Sequence, residues 1–98
     1  MKPVARAGRL LALRDEYRAR LREKPKALQL LDELFANPFV SVSRVAGLLQ
    51  VSNPTARQTV GLLESEGVLE EITGKSWGKL YLARPILQII EAPPEPEN

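Results

Sequence analysis

Asn53 and Arg57 stand four residues apart in Asn53-Pro54-Thr55-Ala56-Arg57-Gln58, a spacing that sets both on one face of a helix. A guanidinium fork can pair with guanine O6 and N7, and the amide of Asn53 or Gln58 with adenine N6 and N7. Ser41, Ser43 and Arg44 upstream, and Lys75 and Lys79 around Trp77 downstream, are of the types that hold phosphates or stack on bases. Together with Thr55 they form one candidate set for nucleic-acid contact. A plainer reading stands beside it. Asn53, Thr55 and Gln58 are also ordinary residues of an exposed helix start, and Trp77 between Gly74 and Gly78 can fold back on its own hairpin.

Other chemistries are excluded by composition. The 98 residues include no His and no Cys, which removes thiol nucleophiles, His-based triads, the usual zinc sites and disulfide scaffolds. No paired carboxylates suggest an acid/base site, and no glycine-rich phosphate loop occurs. A chain this short makes one small domain that buries about 65% of its unfolded surface, which leaves little room for a deep substrate pocket. No apolar run reaches the ~18–20 residues of a membrane span, and no signal-peptide core follows Met1-Lys2. The expectation is a soluble, cytoplasmic binding or regulatory domain with no cofactor or metal, not an enzyme.

The formal charge of +2 conceals an asymmetry. Residues 1–26 carry nine Lys/Arg against three acids, a net +6, whereas residues 27–98 carry five against nine, a net −4. Affinity for phosphate depends on where cations sit, so the pI overstates how basic the candidate reading surface is.

The elements that position these residues follow from periodicity. Residues 1–24 contain a basic amphipathic helix from Val4 to Lys24, with Leu10, Leu13, Tyr17 and Leu21 on one face. Arg14, Arg18 and Arg22 repel one another on a neighbouring face, partly offset by Asp15–Arg18 and Glu16–Arg20 pairs. This stripe needs a partner: the rest of the chain, a second copy or another domain. A second helix spans 25–36, begun by Pro25 and ended by Asn37-Pro38. A short strand at Phe39-Val40 leads to a helix at 42–49, capped by Ser41 with Val40 and Val45 as a hydrophobic staple. The next helix, 53–66, is capped by Ser52, turns Ala56, Val60 and Leu63 inward, and is closed by Gly67. Val68–Ile72 and Leu80–Ala83 read as a hairpin around the basic loop Thr73–Lys79. Arg84-Pro85 reads as a break before a short helix, Ile86–Glu91. Residues 92–98 form a Pro- and Glu-rich tail with nothing to bury, read as disordered.

This order predicts a mainly α fold with a small β-hairpin. It is a winged helix-turn-helix over 25–91, preceded by an extra N-terminal helix. One departure is visible: Gln50 stands where the turn usually carries Gly, so a left-handed Gln50 at a cost of ~1–2 kcal/mol is expected. If duplex DNA is the partner, helix 53–66 enters the major groove by its N-terminal end. Glu64, Glu66, Glu70 and Glu71 are then expected at the far end, away from the duplex.

The stretch 17–91 resembles the C-terminal winged-helix region of bacterial Fic-family proteins. The resemblance rests on the lead-in Leu30, Leu31, Asp32, Leu34, Phe35, Asn37, Pro38, and on the turn Val51, Ser52, Pro54, Thr55, Ala56. The run LLE--GVLEEITG and the closing ILQIIE complete it. The resemblance implies an upstream domain that transfers AMP to a target hydroxyl through an HPFxxGNGR-type motif. This sequence has no His, so that activity does not carry over. It implies instead an accessory module whose basic N-terminal helix connects to, or packs on, the Fic catalytic domain. The first expectation is a DNA-binding or regulatory module, with a homodimer through the N-terminal helix as a further possibility. The alternative is a protein–protein interaction module that positions a catalytic domain and touches no DNA.

Overall fold

The computed structural model describes residues 6–74 and 78–91. Within them the elements run α1 (Arg6–Arg20), α2 (Pro25–Ala36), β1 (Phe39–Ser41), α3 (Val42–Leu49), α4 (Asn53–Ser65), β2 (Glu70–Glu71), β3 (Leu80–Leu82) and α5 (Arg84–Glu91). The fold is mainly helical with a three-stranded antiparallel sheet of order β1-β3-β2. The tail at 92–98 lies outside the described residues.

The apolar stripe of α1 finds its partner within the chain. Tyr17 and Leu21 are buried, and Leu10 and Leu13 pack against the same core, which also takes in Ile86 and Ile90 of α5. The helix stops at Arg20, short of the expected Lys24. Pro25 drives the residue before it out of helical space, and Lys24 sits at φ −127°, ψ 80°. Two turn hydrogen bonds, Leu21 N to Tyr17 O and Lys24 N to Leu21 O, carry the chain into α2.

Helix α2 has the expected bounds and buries Ala27, Leu30, Leu31 and Leu34. Asn37 ends it in extended geometry, and its side-chain oxygen accepts from Phe39 N at 3.1 Å. Ser41 caps α3 by accepting from Arg44 N at 3.2 Å, while Val40 and Val45 are both buried, as a staple requires. Gln50 is left-handed, at φ 56° and ψ 50°. Its N–H and that of Val51 both donate to Ala46 O, closing α3 with three residues left before α4.

Helix α4 buries Ala56, Thr59, Val60 and Leu63. Thr59 is a polar core residue whose hydroxyl donates to Thr55 O at 3.0 Å, so it brings no unpaired group inside. Gly67, at φ 78°, closes the helix. Gly67 N then donates to Glu64 O, and Val68 N and Leu69 N both donate to Leu63 O.

That closure explains a shorter hairpin than the expected Val68–Ile72 strand. Val68 and Leu69 are buried, but their amides are spent on the end of α4, so the ladder starts only at Glu70. β3 is central: Phe39 and Glu70 flank Leu82, Val40 and Glu71 flank Tyr81, and Ser41 faces Leu80. The strand ends before Arg84-Pro85, as expected, but this pair is already the first turn of α5, so the helix starts at Arg84 and not at Ile86. Proline is tolerated there because those amides have no helical acceptor.

Among the described residues no helix is long and apolar enough to cross a membrane. The left-handed Gln50 provides a direct test of the turn. Gln50→Gly is expected to stabilise the chain by about 1 kcal/mol, read as a higher urea midpoint with unchanged slope.

Candidate functional site

An open cleft of about 530 Å³ lies where the N-terminus of α3, the first turns of α4 and the return strand of the hairpin meet. Ser41 lines it from the end of β1, Val42 and Ser43 from α3, Asn53 and Arg57 from α4, and Gly78, Lys79 and Tyr81 from the hairpin. Five residues picked out by type and spacing therefore converge: Ser41, Ser43, Asn53, Arg57 and Lys79. Arg44, Thr55 and Gln58 do not line the cleft. Lys75 and Trp77 lie outside the described residues.

The local reasons are visible in the hydrogen bonds. Ser41 Oγ accepts the α3 cap bond from Arg44 N, which leaves its hydroxyl proton free to donate to a ligand. Thr55 is half-buried, and its hydroxyl accepts a hydrogen bond from Ser52 Oγ at 3.1 Å while its amide donates to the same oxygen, which ties it to the α4 cap. Asn53, Arg57 and Gln58 are exposed, but Gln58 is turned about 100° from Arg57 around the helix and leaves the cleft.

The cleft is electrostatically one-sided: no carboxylate lines it. Among the described residues Arg44, Arg57 and Lys79 have no acid within 4.0 Å, the limit for an ion pair. The amide ends of α3 and α4 add partial positive charge on the same side. Donors thus outnumber acceptors, an arrangement suited to an anion and not to acid/base work.

Three arginines of α1 behave differently. Arg14 and Arg18 each reach Asp32 Oδ1 at 3.0 Å. Arg20 approaches Glu66 at 3.5 Å and Glu16 at 3.8 Å, with its guanidinium carbon 5.2 Å from the Tyr17 ring centre. The expected Glu16–Arg20 pair forms; Arg18 turns instead to Asp32 and makes no pair with Asp15. Sharing Asp32 offsets the repulsion between Arg14 and Arg18, though exposed pairs of this kind contribute only about 0–1 kcal/mol each. Glu66 lies nine residues beyond Arg57, roughly 13 Å along the helix axis. The anchored end of α1 is therefore remote from the cleft.

The acids expected at the far end divide in the same way. Glu66 holds Arg20, and Glu70 holds Arg84 at 2.7 Å, a bond that keeps the Glu70 carboxyl below the usual range. Glu71 departs from the expectation and sits at the base of the loop. Its Oε2 accepts from Thr73 Oγ1 at 2.5 Å, from Thr73 N at 2.6 Å and from Gly74 N. The Thr73 hydroxyl bond, then the Gly74 amide, hold the Glu71 carboxyl below the ordinary range, with Lys79 adding to the effect. Thr73 Oγ1 in turn accepts from Leu80 N at 3.2 Å, tying the clip to β3.

Tyr81 is the residue that the sequence pattern missed. Burial, then Glu64 and Glu71, push its phenol above the usual range, while Arg57 acts in the opposite direction. It therefore stays protonated and available as a donor. Strand alternation alone could not say whether its ring faces α4 or solvent.

Comparison with known protein families, with curated proteins and with solved structures finds no match. The loop clip yields a pH prediction. A carboxyl held below its unfolded value stabilises the fold above about pH 4.5, and that stability is lost as pH falls through the lowered value. Urea midpoints measured from pH 7 to pH 3 are expected to fall on the acid side in the wild type and less steeply in Glu71→Gln.

Proposed function

We propose that the chain is a double-stranded DNA-binding module of the winged helix-turn-helix type. In this reading α3 and α4 form the helix-turn-helix and the β2–β3 hairpin is the wing. Helix α4 enters the major groove by its N-terminal end, with Arg57 and Asn53 facing base edges and Lys79, Ser43 and Arg44 facing phosphates. One observation carries the reading. Residues from three elements, as far apart in sequence as Ser41 and Lys79, gather around one carboxylate-free cleft beside the exposed face of α4. The chemistry is binding, without a reaction.

The ion pairs of α1 refine this proposal. Since Arg14, Arg18 and Arg20 are engaged with the chain's own acids, the cations assigned to DNA are Arg44, Arg57 and Lys79. The two cations on phosphates, Arg44 and Lys79, imply weak, salt-sensitive binding, falling about 12-fold between 50 and 200 mM salt. The resemblance to Fic accessory regions extends the proposal: the module would bring a catalytic domain, carried elsewhere, to nucleic acid. Association with a second copy would use surface other than the α1 stripe, which the core already takes up.

Fluorescence anisotropy with random-sequence duplex at low salt tests the reading. Arg57→Glu is expected to abolish binding, and Lys79→Ala to weaken it while reducing the log–log salt slope by about 1. Wild-type affinity that ignores salt would overturn the assignment and favour a protein-interaction module.

A further inference from the structure

The floor of the cleft is not accounted for by its cations. Tyr81 is only 6% exposed, and its ring belongs to the core, yet its hydroxyl has no hydrogen-bond partner among the described residues. Buried phenols ordinarily find a partner. No buried side-chain nitrogen or oxygen lacks one among the described residues, so the hydroxyl reaches solvent, and the solvent that Tyr81 adjoins is the cleft. The ring is buried, and its hydroxyl opens onto the cleft with no partner among the described residues.

The surroundings define what would accept from it. The amides of Val42 and Ser43 stand in the first turn of an eight-residue helix, where no intrahelical carbonyl is available to them. Arg57 and Lys79 are the cations that line the cleft; no carboxylate lines it, although Glu64 and Glu71 act on the Tyr81 phenol and Glu71 on Lys79 from outside it. A ligand there must be anionic and rich in acceptor oxygens, which a phosphate is and a neutral amide or sugar is not.

We propose that the Tyr81 hydroxyl donates to a non-bridging oxygen of a phosphate seated in the cleft, against the N-terminus of α3 and beside Lys79, with Arg57 on the side of the cleft that faces base edges. The inference rests on the DNA-binding reading and deepens it. A helix lying in the major groove has a sugar–phosphate strand along each flank, and this cleft is one flank of α4. Tyr81 is then the contact that sets how deeply that strand seats. Free phosphate offers the same acceptor atoms, so duplex and inorganic phosphate form separate arms of the test.

The full chain and Tyr81→Phe, which removes one oxygen and keeps the buried ring, are titrated with random-sequence duplex across a salt series. The expected result is about tenfold weaker binding by Tyr81→Phe with an unchanged salt slope, because a neutral hydroxyl displaces no counterion. A merely structural loss of the wing would lower the slope together with the affinity. In parallel, amide NMR of the wild type is followed with duplex and with inorganic phosphate, so the outcome does not depend on the variant folding. Saturable shifts at Val42 and Ser43 support the site. Duplex binding that is equal in both proteins, with those amides unmoved, overturns the phosphate site and leaves the DNA reading intact. Shifts with inorganic phosphate but no duplex binding keep the site, assign it to a free phosphate and overturn the DNA reading. Silence in both arms overturns both.

Discussion

Three residues of backbone pairing between β1 and β3 hold the two halves of this fold in place. Ser41 belongs to both: it faces Leu80 across the ladder, and its hydroxyl caps α3. The N-terminus of α3 is thereby fixed to the return strand of the hairpin, and Ala83 N donating to Pro38 O at 2.8 Å secures the other end of the pairing. Packing of α4 on α3, through Ala56 and Val60, sets the remaining wall. A cleft between elements so distant in sequence exists only because a strand end and a helix cap share a residue.

The charge asymmetry of the sequence acquires a different meaning in the folded chain. A basic N-terminal helix ahead of an acidic body suggests an arm waiting for phosphate, or a connector waiting for a domain. Instead Asp32 and Glu66 draw α1 onto the body, and Tyr17 and Leu21 complete a core shared with α5. Burial of those apolar side chains outweighs the exposed ion pairs energetically; the pairs chiefly orient the helix. Arg14, Arg18 and Arg20 are thus held by the chain's own acids, while Arg57 and Lys79 line the cleft with no ion pair among the described residues.

Much of this was legible in the sequence because the determining interactions are local. Pro25 and Asn37-Pro38 bound α2, Ser41 and Gln50 bound α3, and Gly67 closes α4, all through caps and dihedral preferences within a few residues. What escaped depends on competition or on contacts across the chain. Val68 and Leu69 look like strand residues until the end of α4 claims their amides. Pro85 looks like a breaker unless its place within the first turn is known. Glu71 as a loop clip depends on how the chain doubles back at Thr73, and Tyr81 as a cleft floor depends on which face of β3 meets α4. Residue type alone does not separate Arg57 and Lys79, which line the cleft, from Gln58 and Thr55, which do not; the tertiary arrangement does.

The helix closure at Leu63 also bears on how this protein behaves among its own copies. Because two amides turn back to α4, β2 keeps only Glu70 and Glu71, and β1 on the opposite edge keeps three residues. Sheet edges that are long, flat and apolar act as templates for the strands of other chains, whereas short ones, and acidic ones such as β2, do so poorly. The residues that terminate a helix therefore also guard a sheet margin against runaway growth, a protection against aggregation that requires no dedicated segment.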